Sequence, residues 1–243
     1  MTTASTATTR RSTAGKPNPD ILAWEQELLA AKTKRELAEV KLLEQQARDV
    51  AATAHVAELH AEEMTRAAEF SNASDEHNHV YKFFGSVTSQ SATQAIGVLS
   101  RWSRMHPGKP FTIVFNSPGG SVIDGMALFD HIIDLRSKGH RITTVARGMA
   151  ASMGGVLLQA GDHRVMGAEA YVLIHELSAG TGGKIGEMED MVTFYKKVCT
   201  RIVNIFAERS KLTAKQIDTR WKRTDWWLDS KECLEFGLVD EIA

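Results

Sequence analysis

Two spacings of apolar residues divide the chain. Between residues 20 and about 70 they recur by heptads. Leu22, Leu29, Leu43, Val50 and Ala57 share one position, Val40, Ala47, Ala54 and Ala61 another, and Gln26, Thr33 and Glu36 interrupt the seam. This predicts a helix suited to a coiled coil or helical hairpin, with Asp20, after Pro19, as its N-cap. A solvated helical arm satisfies the same pattern. From residue 79 onward, runs rich in β-branched and aromatic residues alternate with amphipathic stretches. Strands are expected at 80–85, 111–117, 141–148, 164–167 and 170–177, and helices at 91–105, 121–139, 151–161 and about 186–210, before a last strand–helix unit. Short connections between alternating elements imply an α/β domain with helices packed on a largely parallel sheet.

Glycine and charge divide the chain at similar places. Of 18 glycines only Gly15 precedes Gly85, and neither Gly nor Pro lies between Pro19 and Gly85, so a long helix meets no breaker there. The net charge of −1 hides three blocks. Residues 1–19 carry three bases and no acid, residues 20–76 carry 13 acids and six bases, and residues 77–243 carry 17 acids and 20 bases. The expected organisation is a disordered tail at 1–19, rich in Thr, Ser and Ala, an acidic helical arm at 20–76, and an α/β domain at 77–243. Near-neutral total charge gives no bulk attraction to nucleic acid or to an anionic membrane. No apolar run is long enough for a membrane span and the polar start lacks a signal-peptide core, so the expected compartment is the cytoplasm. Cys199 and Cys233 are too few for a disulfide framework or a four-thiolate metal site.

In α/β sheets, ligand-binding groups collect where strands end. Two such junctions here are dense in small residues: Asn116-Ser117-Pro118-Gly119-Gly120, and 148–155 around Ser152. A serine needs a base to become a nucleophile, and His175 follows the apolar run 171–174, where a strand end would hold it. Asp225, ahead of Trp226 and Trp227, suits the group that orients such a histidine. Each has a plainer reading. Ser152 suits a helix N-cap, His175 a hydrogen-bonded boundary residue, and Asp225 a cap for the following turn. The glycine pairs also suit a phosphate, but neither GxGxxG nor GK[ST] is present.

From 79 to 242 the chain resembles the proteolytic subunits of the Clp proteases. The resemblance rests on Tyr81-Lys82-Phe83-Phe84-Gly85, on Asn116 through Val122 with Gly125-Met126-Ala127, on Gly-Met-Ala-Ala-Ser-Met-Gly at 148–154, on Leu173-Ile174-His175, and on 235–242, in family order across about two-thirds of the chain. It implies a fold of the ClpP/crotonase type and a serine endopeptidase acting through an acyl-enzyme. Ser152 would be the nucleophile, His175 the base and Asp225 its orienting acid, with the backbone N–H groups of Gly120 and Met153 as oxyanion hole. Gly119, Gly120, Ser121, Val122, Glu176 and Leu177 would hold substrate as an added strand, and no metal or cofactor is called for. The helix at 186–210 is similar to the family's handle helix, through which two rings stack. Heptameric rings and an AAA+ unfoldase partner follow from the family.

The chain departs from the family in four places. Glu176-Leu177 replace the usual Gln-Pro, the connection at 136–141 is longer, the acidic arm stands where the family has a short axial loop, and residues 86–94 are not a close match. Phage Clp-like proteases that process capsid or scaffold proteins diverge similarly and would suit an arm with a head-assembly partner. Two other classes compete: a crotonase-type acyl-CoA enzyme, which leaves the Ser152 motif unexplained, and a non-catalytic assembly subunit, which leaves Ser152, His175 and Asp225 unexplained. A Ser-Lys dyad is disfavoured by His175.

Overall fold

The computed structural model describes residues 18–180 and 182–243, so residues 1–17 of the expected tail lie outside it. The chain forms two compact units that part between Glu69 and Phe70. The first is dominated by α1 (Pro19–Asn72), a single 54-residue helix that buries none of its residues. Leu22, Leu29, Leu43 and Val50 of the heptad seam are 42% to 69% exposed. Asn18, not Asp20, caps this helix: its side-chain oxygen accepts the Asp20 N–H at 3.1 Å and its carbonyl accepts from Ile21 and Leu22. The shift follows from Pro19, whose fixed φ and missing N–H suit the first helical position, leaving Asp20 inside the first turn.

The second unit is built from strand–helix–strand units. β1 (Val80–Phe84), α2 (Ser89–Met105), β2 (Phe111–Ser117), α3 (Val122–Ser137), β3 (Ile142–Ala151), α4 (Met153–Leu158) and β4 (His163–Met166) follow in order. Then come β5 (Tyr171–Ile174), α5 (Ile185–Glu208), α6 (Ala214–Trp221), β6 (Trp226–Leu228), α7 (Ser230–Glu235) and β7 (Glu241–Ile242). The seven strands form one sheet in the order β1-β2-β3-β4-β7, parallel throughout, with β5 parallel to β3 and β6 antiparallel to β5. This is the α/β fold with a largely parallel sheet and an N-terminal helix that the pattern implied.

The core lies where helices meet the sheet. Phe111, Ile113 and Phe115 alternate along β2 and are at most 1% exposed, facing Leu99 and Trp102 of α2 and Ile132 of α3 in one cluster. Burying each such side chain is worth about 1.5–3 kcal/mol. β3 forks the sheet. Its first half pairs β4 at Thr143–Ala146 and its last three residues pair β5. Against β2 the register steps from Phe115–Ala146 to Ser117–Ala150, so two extra β3 residues are accommodated just before the serine segment. β3 therefore runs three residues past its expected end.

An ion pair between the buried Arg164 and the partly exposed Asp240 ties the C-terminus to β4. Arg164, 6% exposed, donates from Nε and Nη2 to the Asp240 carboxylate at 3.0 and 2.5 Å, and Nη1 donates to Gln159 at 2.7 Å and to the Arg209 carbonyl. Among the described residues no helix is long and apolar enough to cross a membrane.

Candidate active site

Ser152 joins the end of β3 to the start of α4 with φ 54° and ψ −122°, a conformation disfavoured for any residue with a Cβ and costing about 1–3 kcal/mol. Neighbouring bonds over-determine it. The Ser152 N–H donates to the Leu173 carbonyl at 2.9 Å, and its own carbonyl accepts from Gly155 and Val156. The hydroxyl occupies an N-cap position but caps nothing. The plainer reading of Ser152 therefore fails, and its half-buried hydroxyl is left for other work.

The glycine pair of the β2–α3 turn lies directly against this segment. A Cβ on Gly119, where φ is +93°, would fall 2.6 Å from the Ser152 Cβ and 3.0 Å from the Met153 nitrogen. One on Gly120, where φ is +142°, would collide with the Val87 carbonyl. Val87, 1% exposed, brackets the pair: its N–H donates to the Gly119 carbonyl and its carbonyl accepts from Ser121, both at 2.8 Å. Among the described residues, no hydrogen-bond acceptor is found for the N–H of Gly120 or of Met153. The turn then leads into α3, capped by the Ser121 side chain.

His175 follows β5 and is half-buried. It shares with Ser152 a cleft of about 620 Å³ walled by Gly120, Ser121, Val122, Leu177 and Tyr195, within the size range of ligand sites. An apolar pocket opens beside the two residues, lined by Val122, Met153, Val156, Ile174, Ile202 and Phe206. Asp225 enters through strand pairing. β5 and β6 run antiparallel, the ladder ending with Ile174 opposite Trp226, and that register continued by one residue would set Asp225 level with His175. Asp225 is exposed, makes no hydrogen bond among the described residues and caps nothing, since Asp229 caps α7. No hydrogen bond among the described residues joins the Ser152 hydroxyl, the His175 ring and the Asp225 carboxylate, as is common before substrate binds.

The structure thus brings Ser152, His175, Gly119, Gly120, Ser121, Val122, Met153 and Leu177 to one place, whereas neither Glu176 nor Asp225 lines the cleft. Sequence reasoning missed Val87, which lies in the stretch 86–94 that does not match the family closely and carries no motif. It also missed the pocket wall from α5, although Ile202 and Phe206 stand at the i, i+4 spacing of a helix face turned inward.

A largely parallel α/β sheet with a serine and a histidine at adjacent strand ends, beside a glycine-lined turn, defines an α/β protein with one cleft where its strands end. The chain belongs to the Clp protease family, whose sequence model matches residues 77–243. Among similar proteins are the ATP-dependent Clp protease proteolytic subunit 1 of Chlamydia trachomatis and of Chlamydia muridarum. Each is 36% identical over 161 residues, covering 64% of this chain and 81% of the relative. Proteolytic subunit 2 of Tropheryma whipplei is 37% identical over 138 residues, covering 56% and 74%. Membership makes the protein a peptidase of the ClpP type.

Proposed function

We propose that the protein is a serine endopeptidase that cleaves unfolded or extended polypeptides through an acyl-enzyme. The Ser152 hydroxyl attacks the scissile carbonyl carbon while His175 takes its proton. His175 then protonates the leaving amine, and water repeats the sequence to release the acyl group. Asp225 orients His175 and stabilises its charged form. The N–H groups of Gly120 and Met153 receive the developing oxyanion, a donor pair in which each member is typically worth ~10²–10³ in rate. Residues 119–122 and 176–177 hold substrate as an added strand through main-chain hydrogen bonds, which read little sequence.

The observation that carries this reading is the strained Ser152 sharing one cleft with His175 while its hydroxyl serves no cap. A fluorophosphonate probe should label Ser152, and Ser152→Ala should lose both labelling and peptide cleavage. Labelling that persists in Ser152→Ala overturns the assignment.

In the family's manner the protein works in the cytoplasm as a homo-oligomer, a heptameric ring or double ring with its sites inside. Any ATP is hydrolysed by a separate AAA+ unfoldase. A second reading, maturation of phage capsid or scaffold proteins, is favoured by one observation: the exposed apolar seam of α1, which suits residues 20–76 to assembly or partner binding.

A further inference from the structure

The turn that carries Asp225 is held by a residue just past the end of the neighbouring strand β5. Residues 222–224 leave α6 after the buried Trp221 and enter β6 at Trp226. Within the turn the bonds are weak: the Thr224 N–H reaches the Trp221 carbonyl at 3.2 Å, and the Thr224 hydroxyl reaches the Lys222 carbonyl at 3.3 Å. Arg223 at its centre has φ +56°, the left-handed region that disfavours a residue with a Cβ. Such a conformation persists only where surroundings impose it.

One bond from outside the turn does so. The Arg223 N–H donates to Glu176 Oε2 at 2.9 Å, a charge-assisted bond at the surface between an exposed residue and a half-buried one. Glu176 directly follows His175, and Arg223 lies two residues before Asp225. The Ile174–Trp226 register sets the two backbones side by side, and the Glu176 carboxylate fixes the next stretch where the ladder ends. We infer that Glu176 is a positioning residue for the proposed peptidase reaction, clamping the 222–224 turn so that Asp225 stays level with His175. This rests on the role of Asp225 proposed above. The assignment uses the Glu176 side chain and leaves its main chain for substrate.

The chemistry predicts how the clamp fails. Without it the turn relaxes from its left-handed residue, and the exposed, otherwise unbonded Asp225 leaves its place. Formation of the acyl-enzyme slows while substrate still binds, so kcat falls and KM does not rise. An amide at 176 still presents an oxygen to the Arg223 N–H, so a glutamine recovers most of what an alanine loses.

The test is a double-mutant cycle in the full-length protein, read by peptide cleavage and by the rate of fluorophosphonate labelling. Glu176→Ala is expected to lower kcat and labelling about tenfold with KM nearly unchanged, and Glu176→Gln to recover most of that loss with the same pH–rate profile. Glu176→Ala combined with Asp225→Asn should be no slower than Asp225→Asn alone. Losses that multiply, a rise in KM with kcat intact, a shifted pH profile in Glu176→Gln, or a glutamine as slow as the alanine each overturn the clamp. Full activity in Asp225→Asn overturns the proposed triad itself, and the clamp with it.

Discussion

Gly119 and Ser152 are packed so closely that a methyl on the glycine would lie 2.6 Å from the serine Cβ. Real Cβ atoms do not approach that near, and φ at Gly119 is itself +93°. Gly119→Ala must therefore push the β2–α3 turn and the Ser152 segment apart. A 1 Å misplacement is enough to cost ~10² in rate. Gly119→Ala should thus lower peptide cleavage and fluorophosphonate labelling by at least that factor, with a lower melting temperature. Wild-type labelling in this variant would show that the contact does not set the serine.

Strain at Ser152 makes a prediction in the opposite direction. Its φ of 54° and ψ of −122° suit glycine but no residue with a Cβ. Ser152→Gly should be inactive yet more stable than the wild type by about 1 kcal/mol, raising Tm by roughly 2–4 °C in a chain of this size. Ser152→Ala should be inactive without that gain, because it keeps the Cβ. Equal melting temperatures for the two variants in calorimetry would contradict stored strain.

Much of this was legible in the residue pattern, and what was not depended on contacts between distant segments. α5 was expected at about 186–210 and is found at Ile185–Glu208, because its apolar spacing is local. The end of β3 lies beyond its local pattern because Met149–Ala151 become strand through pairing with Tyr171–Leu173 and, at Ala150, with Ser117, which no local pattern announces. Ser152 and His175 stood out by composition and position, but the backbone strain at the serine and the bracket formed by Val87 are tertiary facts. Asp225 can be nominated from the sequence, whereas the antiparallel register of β5 and β6 that leads toward it from Ile174 and Trp226 is visible only in the structure.

Acid should loosen the C-terminus. Burial works against the charge on Asp240, but the side-chain and backbone hydrogen bonds from Arg164, and its positive charge, outweigh that and hold the carboxyl below its ordinary value. A depressed folded-state value means that stability is present above the unfolded value of about 3.9 and is lost as pH falls through the folded one. Denaturation below pH about 4 should accordingly be shallower in Asp240→Asn, which is less stable at neutral pH. Arg164→Met, which removes the partner of Asp240, should also lower stability at neutral pH. Identical acid curves for wild type and Asp240→Asn would rule the pair out as the cause.

Base should act through Cys233. This thiol is fully buried and pushed up to about 12, first by burial and then by Glu232 and Asp229. With the folded value raised, the neutral thiol's contribution is fully present below the unfolded value of about 8.5 and declines as pH rises toward the folded one. Cys233→Ala should therefore flatten the alkaline limb of the stability curve. At pH 8 a thiol reagent should modify Cys199, which is partly accessible, while sparing Cys233 until the protein unfolds. Rapid reaction of both thiols in the native state would refute the burial.

The apolar seam of α1 predicts a separable effect. Leu29 and Leu43 are 66% and 58% exposed, so Leu29→Glu with Leu43→Glu should leave folding and short-peptide cleavage intact. The pair of substitutions should change the particle mass in light scattering or abolish capture of a bound partner. An unchanged mass and unchanged partner binding would mean that the seam contacts nothing.

The length of α1 matters apart from its surface. At 1.5 Å per residue its 54 residues extend about 81 Å, whereas a flexible chain of that length has a root-mean-square span of only about 40 Å. A flexible linker brings its ends together often and sets a local concentration. A continuous helix instead enforces a separation. Whatever engages the first turn of α1 is held at a fixed stand-off from whatever engages its last, which makes the segment a ruler rather than a leash.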